Sequence, residues 1–191
     1  MQPANNFRYR CLEAGEVDSI WSIDRAEKIS AVYYMQENQL TLKQECYNLQ
    51  TWPLGEPETY APLLQACHQR GGWFLGVYDG DRLVAVSVLE SEFIRPLHDT
   101  LQLKFLQISN GYRGCGLGRK LFHLAAAEAA RRGAKFMYIS ATPSENTIRF
   151  YQKNGCFLAD PPDTALYALE PEDIHLLYEI TPADREISIR F

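Results

Sequence analysis

The chain has 191 residues, 46% of them hydrophobic and 23% charged, with a formal net charge of −5. That is enough chain for one well-filled domain, and the composition is that of a soluble globular protein. The acidic balance argues against a general nucleic-acid or anionic-membrane surface, since both want a basic face.

The first ten residues carry no apolar core, so no signal peptide is expected, and no stretch approaches the length of a membrane span. Cytoplasm is the expected compartment. Residues 7–12 read as a first strand and 17–25 as a short helix. Two runs, 31–35 and 40–43, flank Gln36-Glu37-Asn38-Gln39 and predict a hairpin. Trp52-Pro53-Leu54-Gly55-Glu56-Pro57 is a loop, and 58–70 reads as a helix stopped by Gly71-Gly72. Residues 73–78 and 82–89 flank Asp79-Gly80-Asp81, a strong hairpin signal. Residues 101–108 alternate and extend the sheet, 121–132 read as a helix, and 135–141 as a strand. A second helix follows, with Thr142 expected as N-cap, Pro143 at the first helical position, Glu145 completing a capping box and Gly155 ending it. Residues 165–169 and 174–180 read as late strands, and 187–191 as an edge strand. The order predicts a single domain over 1–191, of mixed α/β (α+β) class around one sheet.

The five cysteines (Cys11, Cys46, Cys67, Cys115, Cys156) are odd in number, scattered and without a C-x-x-C pair, which fits reduced thiols. The four histidines (His68, His98, His123, His175) show no ligand spacing, so no metal site is expected.

The most informative stretch is Gly111-Tyr112-Arg113-Gly114-Cys115-Gly116-Leu117-Gly118-Arg119-Lys120, which joins a predicted strand to a predicted helix. Glycines let the backbone approach a ligand without a Cβ in the way. The first N–H groups of a helix have no intrahelical partner and sit at the positive end of its dipole. With Arg113, Arg119 and Lys120 nearby, this predicts a site for a phosphate-bearing small molecule. The nucleoside-triphosphate pattern G-x-x-x-x-G-K-[ST] fails at Leu117 and Gly118. The dinucleotide pattern fails at Arg119, where its third glycine belongs, and residues 135–140 end with no carboxylate. A third pattern, R/Q-x-x-G-x-G/A, is matched in full by Arg113-Gly114-Cys115-Gly116-Leu117-Gly118.

In that hexapeptide the chain resembles the GNAT-type N-acetyltransferases, which hold the pyrophosphate of acetyl-CoA on this turn. Ile148-Arg149-Phe150-Tyr151-Gln152-Lys153-Asn154-Gly155-Cys156-Phe157 is similar to the family's I-x-L-Y-x-x-x-G-F segment, with Cys156 inserted before Phe157. The resemblance covers roughly residues 73–157 and leaves 30–60 as a variable insertion on the acceptor side. It implies a mostly antiparallel sheet with a parallel βαβ core and helices on both faces. It also implies acetyl-CoA as co-substrate, no metal, and direct attack by a primary amine through a tetrahedral intermediate.

Residue roles follow from the same resemblance. Arg113, Gly114, Cys115, Gly116, Leu117, Gly118 and Arg119 would hold the cofactor's phosphates. Ile108 and Ser109 would meet the pantetheine arm and the oxyanion, where family members bulge or splay this strand. Ser144 or Asn146 would assist, and Tyr151 would protonate the departing thiolate. The family's strand glutamate has no counterpart, because Gln102, Lys104 and Gln107 occupy that strand. Glu90 or Glu92, His98 or Asp99 on the connection after them, or a water chain, is left as the base. The base matters, because a lysine-like amine is only about 0.1% neutral at pH 7. Cys115 reads as a loop filler.

Tyr33, Tyr34, Tyr47, Trp52 and Tyr167, with nearby acids, suit the wall of a small-molecule amine site. They suit a core or a homodimer face equally well. Competing readings are a protein N-terminus or lysine as acceptor, a non-catalytic acyl-CoA-binding sensor, and another donor such as succinyl-CoA.

Overall fold

The computed structural model describes residues 7–37, 39–96 and 98–188. Seven strands form one sheet in the order β1-β4-β5-β6-β7-β9-β8. They are β1 (Arg8–Cys11), β4 (Trp73–Asp79), β5 (Arg82–Phe93), β6 (Thr100–Ile108), β7 (Phe136–Ala141), β8 (Phe157–Leu158) and β9 (Ile174–Glu179). Every pair is antiparallel except β6 with β7. A separate hairpin, β2 (Glu27–Gln36) with β3 (Gln39–Leu49), extends well beyond the predicted runs.

The helices are α1 (Glu56–Gln69), α2 (Leu117–Arg131), α3 (Glu145–Lys153), α4 (Thr164–Leu169) and α5 (Pro182–Glu186). The central strands are buried on both faces, as a sheet covered on both sides requires. Leu75, Val77, Ala85 and Leu89 pack with Phe122, Ala126 and Ile148 on one side. Phe74, Val86 and Val88 pack with Val17, Ile20, Trp52 and Leu64 on the other. Side chains two apart in a strand share a face, so the two cores alternate along β4 and β5.

Gly76 sits where these layers close. A Cβ there would lie 2.6 Å from Leu12 Cδ1 and 2.8 Å from a Tyr78 ring carbon. Gly76→Ala is therefore expected to destabilise the fold by about 1–3 kcal/mol through overpacking, read as a lower urea midpoint at unchanged slope.

Four predicted elements come out differently. Residues 165–169 are helical, not a strand. The Asp163 side chain accepts from the N–H groups of Ala165 and Leu166 and caps α4, which ends before Pro171. The N-cap of α3 is Ser144, not Thr142. The Pro143 carbonyl accepts from the Tyr33 N–H at 2.8 Å, so residues 142–143 stay extended against β2. The early helix is a 3₁₀ helix over Ala14–Ser22, locked by a Glu13–Glu16 capping box. Of the predicted edge strand at 187–191, residues 187–188 are irregular and the rest lies outside the described residues.

Two irregularities prepare the site. β6 pairs Leu103 with Leu89 and Phe105 with Val88, so Lys104 is an extra residue, a bulge. β6 and β7 pair only through Thr100–Phe136, Leu101–Met137 and Gln102–Tyr138. Beyond Gln102 the two strands diverge, although β6 runs to Ile108 and β7 to Ala141. β9 stays paired with β7 up to Ala141. The sheet therefore opens as a V in its middle.

Candidate active site

A cavity of about 690 Å³ occupies that V. Its walls come from β6 (residues 103–108), the end of β7 with Ser140 and Ala141, the glycine turn, α3 and the start of α1. Along the unpaired part of β6, backbone groups facing β7 have no strand partner. Such groups are free to bond an extended amide-bearing chain or a developing oxyanion.

The glycine turn forms one end. Gly114 and Gly116 take φ of +77° and +87°, a left-handed backbone that side-chain-bearing residues rarely adopt. Gly116 is the N-cap of α2, and the first intrahelical bond runs from the Lys120 N–H to the Gly116 carbonyl. The N–H groups ahead of Lys120 are left for a ligand. At Gly118 a Cβ would sit 3.3 Å from the Phe150 ring, so this glycine also lets α2 lie close to α3.

The cations of the turn divide their labour. Arg113 donates from Nε to the Ile108 carbonyl at 3.0 Å and from Nη1 to the Ala26 carbonyl at 3.0 Å, and lies 3.7 Å from Glu27. It straps the turn to β6 and to the segment before β2. Burial lowers its pKa, against the pull of Glu27. Lys120 stacks over the Tyr9 ring, 3.9 Å from its centroid. Arg119 is exposed, lines the cavity and has no ion pair among the described residues. Arg119→Ala is expected to weaken coenzyme A binding about tenfold with the fold intact, as calorimetry would read. Arg113→Ala is expected chiefly to lower the melting temperature.

Of the residues expected around the cofactor, Ile108, Arg113, Gly114, Gly116, Gly118, Arg119, Asn146 and Tyr151 line the cavity. Four do not, and each has a structural task. Ser109 donates its N–H to the Val84 carbonyl, and its hydroxyl accepts from the Asp24 N–H, so that N–H is not available to an oxyanion. The bulge expected near it lies at Lys104 instead. Leu117 is buried in the core under α2. Cys115 is exposed, and its thiol donates to the Tyr112 carbonyl. Ser144 caps α3, its hydroxyl accepting from the Thr147 N–H.

Tyr151 lies on the inner face of α3, only 7% exposed, edge-on to Phe122 and Phe150. Its hydroxyl has no hydrogen-bond partner among the described residues, and it faces the cavity. Burial raises its pKa, with Cys156 and Asp173 adding to the effect, so the phenol is protonated at neutral pH.

Glu90 and Glu92 are not among the cavity residues. Glu90 is held by Arg70 at 2.8 Å and by Lys104 at 3.9 Å, and Glu92 by Arg70 at 3.3 Å. Burial opposes ionisation of Glu90, but the Ser91 N–H and Arg70 outweigh it and lower its pKa. A carboxylate so engaged, outside the cavity, is a poor proton acceptor for a reaction inside it.

The acidic wall comes from elsewhere. Glu56 and Tyr60 project from α1, Glu170 from the end of α4, and Asp173 from the turn before β9. The Tyr60 hydroxyl donates to Glu170 at 2.5 Å, bridging α1 to the α4–β9 turn. Burial pushes the Asp173 carboxyl up to about 7, with Glu170 and Glu56 adding repulsion. Burial also raises Glu56, against the attraction of Arg25. The expected aromatic wall moves as well. Trp52 is buried in the second core, and Tyr34 and Tyr47 both donate to Glu45 on the outer hairpin. Tyr60, Phe105 and Phe150 line the cavity instead.

The acids were hidden because residues distant in sequence are brought together only by tertiary packing. Asp173 in Pro171-Glu172-Asp173 carries no motif, and reading 165–169 as a strand hid the turn that presents it. Only Glu56-Pro57, a helix-start signature, was there to read.

Comparison with known proteins agrees with this architecture. The family model described as acetyltransferase (GNAT) family matches residues 38–156. Nourseothricin acetyltransferase superposes with a TM-score of 0.66 at 20% identity, over 92% of this chain and 99% of that one. A putative streptothricin acetyltransferase from Bacillus anthracis str. Ames, solved with acetyl coenzyme A, gives 0.62 at 13% identity over 93% and 99%. The ribosomal-protein-S18-alanine N-acetyltransferase from Escherichia coli gives 0.57 at 16% over 96% and 99%. No curated protein sequence matches. No helix among the described residues is long and apolar enough to cross a membrane.

Proposed function

Because the chain belongs to the acetyltransferase (GNAT) family of acyltransferases, we propose that it moves the acetyl group of acetyl-CoA to a primary amine on a small molecule. The observation that carries this reading is the continuity of one cavity, from the unpartnered N–H groups at the head of α2, through the open β6/β7 wedge, to the Tyr151 phenol. The diphosphate would sit on the glycine turn and the pantetheine would add to the free edge of β6. That places the thioester beside the Lys104 bulge and Tyr151.

The chemistry balances with the groups present. A neutral amine nitrogen forms the C–N bond to the acetyl carbon, and β6 N–H groups stabilise the oxyanion. Collapse breaks the C–S bond, and the thiolate takes the Tyr151 proton. The phenolate regains a proton from the nitrogen that becomes the amide. A small acceptor is favoured because the Tyr60–Glu170 bridge spans the acidic end of the cavity, where a polypeptide would need an open groove. The five cysteines are all free thiols, which supports a reducing, cytoplasmic setting.

Release of coenzyme A thiol from acetyl-CoA, followed with a panel of small primary amines and with peptides, tests the proposal. Turnover with small amines supports it. Turnover with peptides alone would replace the acceptor class, and none with any amine despite acetyl-CoA binding would overturn acetyl transfer to amines.

A further inference from the structure

The cavity has two ends of opposite chemistry, and the acidic end is uncompensated. Glu27 is paired with Arg25 at 2.9 Å and Arg113 at 3.7 Å, and Glu90 with Arg70 and Lys104. Glu56, Glu170 and Asp173 line the same cavity without a single ion pair among the described residues. Grouped carboxylates without a cation are unfavourable, and the fold neutralises the neighbouring ones. One further polar group, independent of the acids, is open to a ligand in the same cavity. The Tyr151 side chain is more than nine-tenths buried and lines the cavity within electrostatic reach of Asp173, and its hydroxyl has no hydrogen-bond partner among the described residues.

The three acids are not equivalent. Glu56 stands in the first turn of α1, where the helix dipole favours a negative charge. Glu170 receives a hydrogen bond from the Tyr60 hydroxyl. Asp173 has neither support, and no hydrogen bond to its carboxylate occurs among the described residues.

Resting on the acetyl-transfer reading, we propose that the acceptor is an amine carrying a second positive charge, which Glu56 and Glu170 hold while Asp173 takes the proton from the reacting ammonium. The reacting nitrogen arrives as R–NH₃⁺ and gives one proton to the Asp173 carboxylate. It then attacks the acetyl carbon, and the proton on Asp173 leaves to solvent after the amide forms. The second ammonium stays charged and paired throughout, so an amine with a neutral or anionic tail loses that binding. The groups facing Asp173 are Glu56 and Tyr60 from α1, Glu170 from the end of α4 and Tyr151 from α3, with Arg25 acting on Glu56. Four of the five disfavour a further negative charge or leave it unchanged. This suits a carboxylate that accepts a proton near neutral pH.

The test compares butane-1,4-diamine, butan-1-amine and 4-aminobutanoate at saturating acetyl-CoA, with acetyl-CoA calorimetry on every protein used. The diamine is expected to exceed the monoamine in kcat/KM by about 10- to 100-fold, mostly through KM, and the aminobutanoate to be slower still. The Glu56→Gln/Glu170→Gln variant should collapse the diamine-to-monoamine ratio toward one while still binding acetyl-CoA. In wild type kcat/KM should rise with pH through about 7, and in Asp173→Asn that limb should vanish. Equal kcat/KM for the diamine and the monoamine would overturn the dication proposal and leave acetyl transfer standing. So would a ratio that survives in the double variant. A retained limb in Asp173→Asn would remove Asp173 from its role. If no amine is acetylated although acetyl-CoA binds, acetyl transfer itself fails, and this proposal with it.

Discussion

Tyr151→Phe is expected to lower kcat by about 10²- to 10⁴-fold while acetyl-CoA affinity stays within about twofold. The substitution removes one oxygen and keeps the ring. The contacts of that ring with Phe122 and Phe150, and its fill of the inner face of α3, survive. On the proposed mechanism, what is lost is the proton donor to the leaving sulfur. The phenol makes no hydrogen bond among the described residues, so no buried partner is orphaned and the fold has little reason to change. Thiol release read beside the melting temperature separates the cases. A fall in kcat at constant melting temperature identifies the acid, whereas a rate within about threefold of wild type would show that the thiolate leaves unassisted.

Asp173→Asn is expected to stabilise the fold in a pH-dependent way. The carboxyl titrates near 3.8 when unfolded and at about 7 in the fold, because burial disfavours its charge. A raised carboxyl pKa means that the native state binds the proton more tightly. Below about pH 4 both states are protonated and the group costs nothing. Between about 4 and 7 the unfolded state ionises while the native state resists, so stability falls as pH rises, and above about 7 the full cost is present. The rise from 3.8 to about 7 corresponds to at most about 4 kcal/mol, and partial exposure reduces this to roughly 1–3 kcal/mol. Urea midpoints of the Asn variant should therefore match wild type near pH 4 and exceed it at pH 8. Equal midpoints at pH 8 would show that Asp173 is ionised without cost. Stability bought by removing a group is what a functional carboxylate predicts, since the strain serves the reaction and not the fold.

The parts of the site that could be read in the sequence are local. Arg113-Gly114-Cys115-Gly116-Leu117-Gly118 announces its own geometry, because two left-handed glycines and a helix start lie within six residues. Tyr151 was legible for the same reason, being fixed by a short helix between Ser144 and Gly155. The Asp79-Gly80-Asp81 hairpin and the central strands followed from alternation and turn chemistry. The illegible parts depend on what is brought alongside. Ser109 looked like an oxyanion donor, yet Val84 on the neighbouring strand uses its N–H. Glu90 looked free, yet Arg70 comes back from the end of α1 to hold it. Glu56 lies more than a hundred residues from Glu170 and Asp173 along the chain and meets them only when α1 packs beside the α4–β9 turn. Single-residue capping decided 165–169, where Asp163 turned an apolar run into α4.

A crystal structure with coenzyme A bound tests the central claim most directly. Diphosphate oxygens are expected about 3 Å from the N–H groups at residues 114–119, with the pantetheine lying along β6 and the sulfur in the β6/β7 wedge beside Tyr151. Coenzyme A seated on another surface, or with its sulfur away from the wedge, would contradict the assignment of this cavity as an acetyl-transfer site.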